Sequence, residues 1–282
     1  MKERLTVRPS PIAGSWYPED AVRLADMVDT FIQQAEIPAL EGEVKALIAP
    51  HAGYRYSGRT AGYAFRTIKG YAADLVVVVS PFHDYHPSPF LTTVHSAYWT
   101  PLGEIPVEQE LIALLDGALR KECGVGITAL ANDREHSLEI ELPFLQRSLA
   151  GDFRLLPIMV RPITQQLARS LGFCMASILE GQRALLVAST DLSHFYRETD
   201  ADLLDSEMLK QIGAFSPEGV LKAEETGAGF ACGAYAVAAV LWAARKVGAD
   251  TVTVLHHSTS AEQTGDRSAV VGYGAAAILR RA

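Results

Sequence analysis

Three stretches of the chain are apolar almost without interruption, and each ends in residues suited to metal chemistry. Val44 to Pro50 runs into His51, Leu75 to Phe82 into His83, and Ala184 to Thr190 into Asp191 and, three residues on, His194. Short unbroken apolar runs are the mark of strands buried on both faces, because a strand with one wet face alternates instead. Helical periodicity fills most of the intervals. It is clearest from about Ala21 to Gln34, where Val22, Leu24, Met27, Val28 and Phe31 recur at helical spacing. Further helices are predicted near Arg59 to Ile68, Val107 to Leu119, His136 to Leu149, Thr164 to Leu179, Asp200 to Ile212 and Pro217 to Glu225. An alanine-rich, buried helix is predicted from about Gly233 to Lys246. Strands are also predicted at Phe153–Val160, Thr251–His257 and Ser268–Tyr273, and the proline-rich segment Arg8–Pro18 reads as an ordered loop.

Strand and helix alternate along the chain, which predicts an α/β fold: a central, mostly parallel sheet covered by helices on both faces. No composition break marks a linker and no repeat is visible, so one domain over residues 1–282 is expected. Open α/β sheets build their sites just beyond the carboxyl ends of their strands. The three apolar runs are therefore expected to deliver His51, His83, Asp191 and His194 to one edge.

Charge and composition narrow the partners. With 25 basic and 33 acidic residues the net charge is −8, and no basic cluster interrupts it, which argues against a nucleic-acid backbone. No apolar run approaches the roughly 20 residues that span a bilayer. The opening Met1–Arg8 has no apolar centre of the kind a secretory signal needs. Three scattered cysteines make no disulfide framework and fit a reducing compartment. The expectation is a cytoplasmic protein with no membrane partner.

Each candidate also has an ordinary reading. A histidine after a strand serves commonly as a hydrogen-bonding loop residue, and Asp191 is suited to cap a helix. Cys123 and Cys174 read as small buried hydrophobes. Cys232 differs, because it sits between Gly229 and Gly233 at a helix start, where the macrodipole and free N–H groups favour a thiolate. Taken together, His51, His83 and Cys232 make a two-imidazole, one-thiolate set that suits Fe(II), Cu or Zn and leaves coordination positions open. His194 is then the uncoordinated acid/base, since an imidazole titrates near neutral pH. Asp191, one helical turn earlier, is placed to orient it. In the polar cluster Asp133–Glu141, His136 and Glu139 are expected to share a helix face. They read either as groups beside the metal ligands or as a solvated helix start. Tyr54 and Tyr56 follow His51 and either line a pocket or pack in the core. His86, His95, His256 and His257 have no comparable support.

Several of these segments resemble, in order, the signature segments of the Memo family. They are Ala49-Pro50-His51-Ala52-Gly53-Tyr54, Ser80-Pro81-Phe82-His83, Ser189-Thr190-Asp191-Leu192-Ser193-His194 and Ala231-Cys232-Gly233. The opening Arg8-Pro9, the stretch Ala13–Pro18 and Glu135-His136-Ser137-Leu138-Glu139 match as well, so the likeness runs from Arg8 to Tyr273. Prokaryotic members are called the B protein of the AmmeMemoRadiSam system.

The family is similar in fold to the class III extradiol ring-cleaving dioxygenases of the LigB type. Those enzymes hold Fe(II) with two histidines and a glutamate and use another histidine as acid/base. The resemblance implies that His51 and His83 are the histidine ligands, that Cys232 stands in the glutamate's place, and that His194 is the catalytic histidine with Asp191 beside it. The thiol in place of a carboxylate separates this site from ring cleavage, and Ser80 and Phe82 replace the more usual glycine and small polar residue near His83.

Three functions are expected, two implied by the resemblance and one by the donor set alone. The first is an Fe(II)- or copper-dependent oxidoreductase using dioxygen. The second is a non-catalytic binding or scaffold protein that retains the pocket and acts with AMMECR1-like and radical-SAM partners. The third is zinc hydrolysis, because two histidines, a cysteine and a water also suit Zn²⁺.

Overall fold

The computed structural model describes residues 7–281. The first half of the chain contains β1 (Val7–Arg8), α1 (Ala21–Gln34), β2 (Glu43–Ala49), α2 (Tyr54–Arg66) and β3 (Leu75–Pro81). After β3 come β4 (Phe90–Thr93), β5 (Ala97–Thr100), β6 (Gly103–Pro106), α3 (Gln109–Cys123) and β7 (Ile127–Leu130). A 3-10 turn at Glu139–Glu141 leads into α4 (Leu142–Ser148), then β8 (Arg154–Val160), α5 (Gln165–Ile178) and β9 (Ala184–Ser189). The last part holds β10 (His194–Tyr196), α6 (Glu198–Gly213), α7 (Pro217–Thr226), α8 (Ala234–Lys246), β11 (Thr251–Thr259), α9 (Ala261–Thr264) and β12 (Val270–Arg280).

The main sheet runs β10-β12-β2-β9-β3-β8-β4-β7, with β11 along the other side of β12. Its centre, β2-β9-β3-β8, is parallel throughout, as the apolar runs predict. The flanks make the sheet mixed: β12 is antiparallel to β2 and to β11, and β4 is antiparallel to β8. Register is what builds the site. Ala49 lies opposite Ser189, and Val79 opposite Ala188, so β2, β9 and β3 finish at the same edge. A smaller sheet, β1-β5-β6, sits apart from this path.

Val76 to Val79 are fully buried, and each such side chain contributes roughly 1.5–3 kcal/mol of transfer free energy. Helix α8 is buried along nearly its whole length, so its alanines are a packing choice that lets it lie close to its neighbours. Helix α1 starts where predicted, with the Asp20 carboxylate accepting from the Arg23 N–H at 2.8 Å.

The sequence reading needs correction at three places. The helix expected near Arg59 to Ile68 is α2, which begins earlier, at Tyr54, and ends at Arg66. Gly58 and Gly62 are tolerated inside it because α1 passes so close; a Cβ at Gly62 would lie 2.4 Å from the Phe31 carbonyl oxygen. The helix predicted from His136 is α-helical only from Leu142, because the Glu135 carboxylate takes the N–H groups of His136 and Ser137 and holds them out of a helical ladder. Asp191 to Ser193 is neither helix nor strand, so Asp191 starts no helix, and His194 opens β10, which pairs with β12. The four-residue strands β4 to β7 escaped prediction because such short segments carry too few positions to show a period. No helix among the described residues is long and apolar enough to cross a membrane.

Candidate metal centre

His51 and His83 each follow a parallel strand directly, and the common register brings their rings to 5.4 Å between centroids. His136 joins them from the segment before α4, stacking on His83 at 4.8 Å and lying 5.5 Å from His51. One nitrogen from each of the three rings lies within 4.8 Å of the other two. The sequence leaves His136 either beside the ligands or in a solvated helix start; the structure sets it level with the other two histidines.

The hydrogen bonds fix which nitrogen faces the cluster. His51 Nδ1 lies 2.8 Å from the Ser189 hydroxyl, which in turn lies 2.6 Å from the Ser137 carbonyl oxygen and 2.8 Å from Glu141 Oε1. His83 Nδ1 meets Glu135 Oε1 at 2.9 Å, and His136 Nδ1 lies 3.4 Å from the same oxygen. The Nδ1 atoms of His51 and His83 are thus taken up by oxygens, which leaves their Nε2 atoms to bind, while His136 Nδ1 only lies near the same carboxylate. This is how metal-ligating histidines are normally oriented. Glu135 is the functional residue that the sequence reading passed over. The available signal was its position directly before His136 in an otherwise unexplained acidic cluster.

Cys232 lies beneath His51, its Sγ 3.1 Å from His51 Nε2. Two donors bound to one ion at roughly 2.0 and 2.3 Å stand about 3.1–3.6 Å apart, so this pair fits a shared ion. Gly233 makes the placement possible, since a Cβ there would sit 2.3 Å from the Ser189 carbonyl oxygen. The donors that all lie close to one another are the three imidazoles, and Cys232 is near His51 alone; burial, then the charge of Asp191, holds its thiol well above the ordinary range, against the thiolate expected from the helix start. Such a nitrogen-rich set fits a transition metal and not Mg²⁺ or Ca²⁺.

Electrostatics sort the imidazoles. Burial, followed by the neighbouring His136 and His83, holds His51 well below the usual histidine range. Burial brings His136 down to about 4, with Glu135 opposing and His83 adding to the shift. His83 goes the other way: burial acts downward, but the hydrogen bond and charge of Glu135 outweigh it and raise the ring. Glu135 itself is held well below the carboxylate range, because His83 and the surrounding N–H groups overcome its burial. A neutral imidazole is the form that binds metal, so His51 and His136 are ready ligands at neutral pH.

The remaining candidates divide. His194 lines a cavity of about 670 Å³ over the cluster, with Trp16, Tyr56, Phe195 and Tyr273 among its walls. Its ring bonds the Leu192 carbonyl, and burial, then His83, lowers its pKa. Asp191 has a different task from the one expected. Its Oδ1 accepts the His51 backbone N–H at 2.8 Å, and no hydrogen bond or ion pair joins it to His194 among the described residues. It steadies the loop that carries His51. Burial raises it to about 7 against the pull of the His51 and Ala52 N–H groups.

Tyr54 does not line the cavity over the cluster: its hydroxyl donates to the Ile140 carbonyl at 2.7 Å and its ring packs on Phe144. Glu139 faces away from the centre and pairs with Arg8 at 2.6 Å, with the Tyr17 hydroxyl donating to it at 2.7 Å. His136 and Glu139 therefore do not share a face. The segment between them is not helical, and the two side chains diverge.

Comparison with known proteins bears on the whole chain. The family model described as Memo-like protein matches residues 8–277. A MEMO1 family protein of Nitrosopumilus maritimus (strain SCM1) is 31% identical over 95% of this chain and 98% of its own. One of Methanosarcina mazei is 32% identical over 96% and 98%. A fainter likeness, 13% identity and a TM-score of 0.45 over 83% of this chain and 99% of the other, links it to the uncharacterized protein JW3007 from Escherichia coli K12. With a full-length family match and relatives above 30% identity across nearly all their length, this chain belongs to the Memo family.

Proposed function

We propose that this Memo-family protein is a non-haem, metal-dependent oxidoreductase. The observation that supports this most is the convergence of His51, His83 and His136, with the Nδ1 atoms of His51 and His83 hydrogen-bonded to oxygens and the thiol of Cys232 beside His51. Fe(II) is the favoured ion, with copper or zinc as the other metals such donors accept. When bound, the metal supplies open positions for dioxygen or substrate and the means to move electrons between them.

The chain's own residues do the rest. Glu135 sets the tautomer of His83 and braces His136, while Ser189 sets that of His51. Trp16, Tyr56, Phe195 and Tyr273 wall the cavity and limit water around a bound organic substrate. His194 takes or gives the proton, since its ring faces the same cavity and burial keeps it neutral at pH 7. Asp191 keeps the His51 loop in place.

Anaerobically purified protein is expected to carry a stoichiometric redox metal, visible by elemental analysis and absorption spectroscopy, that is lost in His51→Ala and in His83→Ala. Absence of metal from the wild type as well as both variants overturns the reading. Oxygen uptake with a panel of catechols then tests catalysis: turnover abolished by His194→Ala supports it, and a metal-loaded protein that consumes no oxygen with any of them argues for a binding role.

A further inference from the structure

A second cavity reaches the same cluster from the opposite side. It encloses about 360 Å³ and is lined by both His83 and Cys232. His83 is the one residue that lines both this cavity and the larger one. The two cavities therefore adjoin at His83. His51, His136 and His194 face the larger side; Cys232 faces the smaller, while its Sγ stays 3.1 Å from His51 Nε2. Cys232 is only partly buried, and the smaller cavity is the space onto which it opens.

The lining indicates what this side admits. Phe82, Val160, Pro162 and Ala234 make much of it apolar. Its two charged residues already have partners: Arg161 donates to the Phe82 carbonyl at 3.0 Å and lies over the Tyr85 ring, and the Glu224 carboxylate accepts from the Ala231 N–H at 2.7 Å. Each is held to the backbone by one bond, and their opposite charges leave no net charge between them to favour an ion. Phe82 and Tyr235 are the aromatics here, whereas the other cavity has about 670 Å³ and four, Trp16, Tyr56, Phe195 and Tyr273, which suit a larger organic molecule.

We propose that the smaller cavity is a separate approach to the metal cluster, admitting small neutral molecules of the size class of dioxygen to the Cys232 side while the larger cavity holds the organic substrate. The assignment of reactants rests on the oxidoreductase reading above, but the existence of the approach does not, and it is tested without a metal. In full-length, chelator-treated protein carrying Cys123→Ser and Cys174→Ser, the probe is methyl methanethiosulfonate, a small neutral thiol reagent. The rate of Cys232 modification is read by mass spectrometry.

Pro162 is exposed at this cavity, so Pro162→Trp is expected to slow labelling by roughly tenfold, and Tyr235→Ala, which widens it, to speed labelling by a comparable factor. Thr264→Trp, at the larger cavity, is expected to leave the rate unchanged. The proposal is overturned if Cys232 reacts only after denaturation, or if Thr264→Trp slows labelling while Pro162→Trp and Tyr235→Ala do not alter it. Metal content, measured separately on untreated protein, decides the oxidoreductase reading, so the failure of either idea is recognisable alone.

Discussion

Two buried carboxylates flank the histidine cluster, each only 4% exposed, and burial leaves them in opposite states. Glu135 accepts the N–H groups of His83, His136 and Ser137 as well as His83 Nδ1. Asp191 accepts the N–H groups of His51 and Ala52 and has no imidazole partner. The first carboxylate is pulled well below its ordinary range and the second is pushed up to about 7. Depth does not set the charge of a buried acid; the number and kind of its donors do. One face of the cluster is thus anchored by a permanent anion, and the other by a group that titrates close to neutrality.

The sharpest way to break this comparison is to delete the anion. Glu135→Ala leaves His83 and three N–H groups without their acceptor, and stability is expected to fall by about 3–5 kcal/mol in denaturant unfolding. Glu135→Gln keeps the shape and loses the charge. It is expected to weaken metal affinity on the order of 10–100-fold in a competition titration with a chelator. If Asp191→Ala costs as much as Glu135→Ala, the distinction between the two carboxylates is wrong.

A smaller effect carries the opposite sign in pH. A carboxylate whose folded pKa is depressed stabilises the fold above its unfolded value and loses that contribution as pH falls through the folded value, which describes Glu135. Asp191 is raised, so the folded state binds the extra proton and stability declines as pH rises from about 4 to about 7. In metal-free protein, the decline attributable to Asp191 is expected to be on the order of 2–4 kcal/mol, and Asp191→Asn should abolish it. Unfolding free energies measured at several pH values, with identical slopes in wild type and variant, would refute this.

The least of these effects concerns packing. Gly233→Ala forces a Cβ against the Ser189 carbonyl and the Thr190 side chain. The expected cost is roughly 1–3 kcal/mol, with a parallel loss of metal affinity as Cys232 is shifted from His51. Unchanged metal affinity in a folded Gly233→Ala protein would detach Cys232 from the centre.

Much of the scaffold was legible beforehand because it rests on local pattern. Helix α1 was expected from Ala21 to Gln34 and occupies those residues, and the apolar runs before His51, His83 and Asp191 are the parallel strands β2, β3 and β9. The polar segment from Asp133 to Glu141 was not legible. Its acidic residues suggest a helix, yet Glu135 and Glu139 turn to unrelated partners, His83 and Arg8, far away in the chain. Nothing within a helical turn encodes a hydrogen bond to residue 83 or residue 8.

The sequence by itself determined that three apolar runs would be buried strands, and a histidine or an aspartate after each would emerge at a sheet edge, because burial on both faces demands continuous apolar residues. It also carried the likeness that the full-length family match bears out. Only the tertiary structure decided which groups meet. Strand register brings His51 to His83, the non-helical turn after Glu135 turns His136 in and Glu139 away, and Asp191 accepts from the His51 loop instead of from His194. These are contacts between segments tens to more than a hundred residues apart, and no local periodicity specifies them.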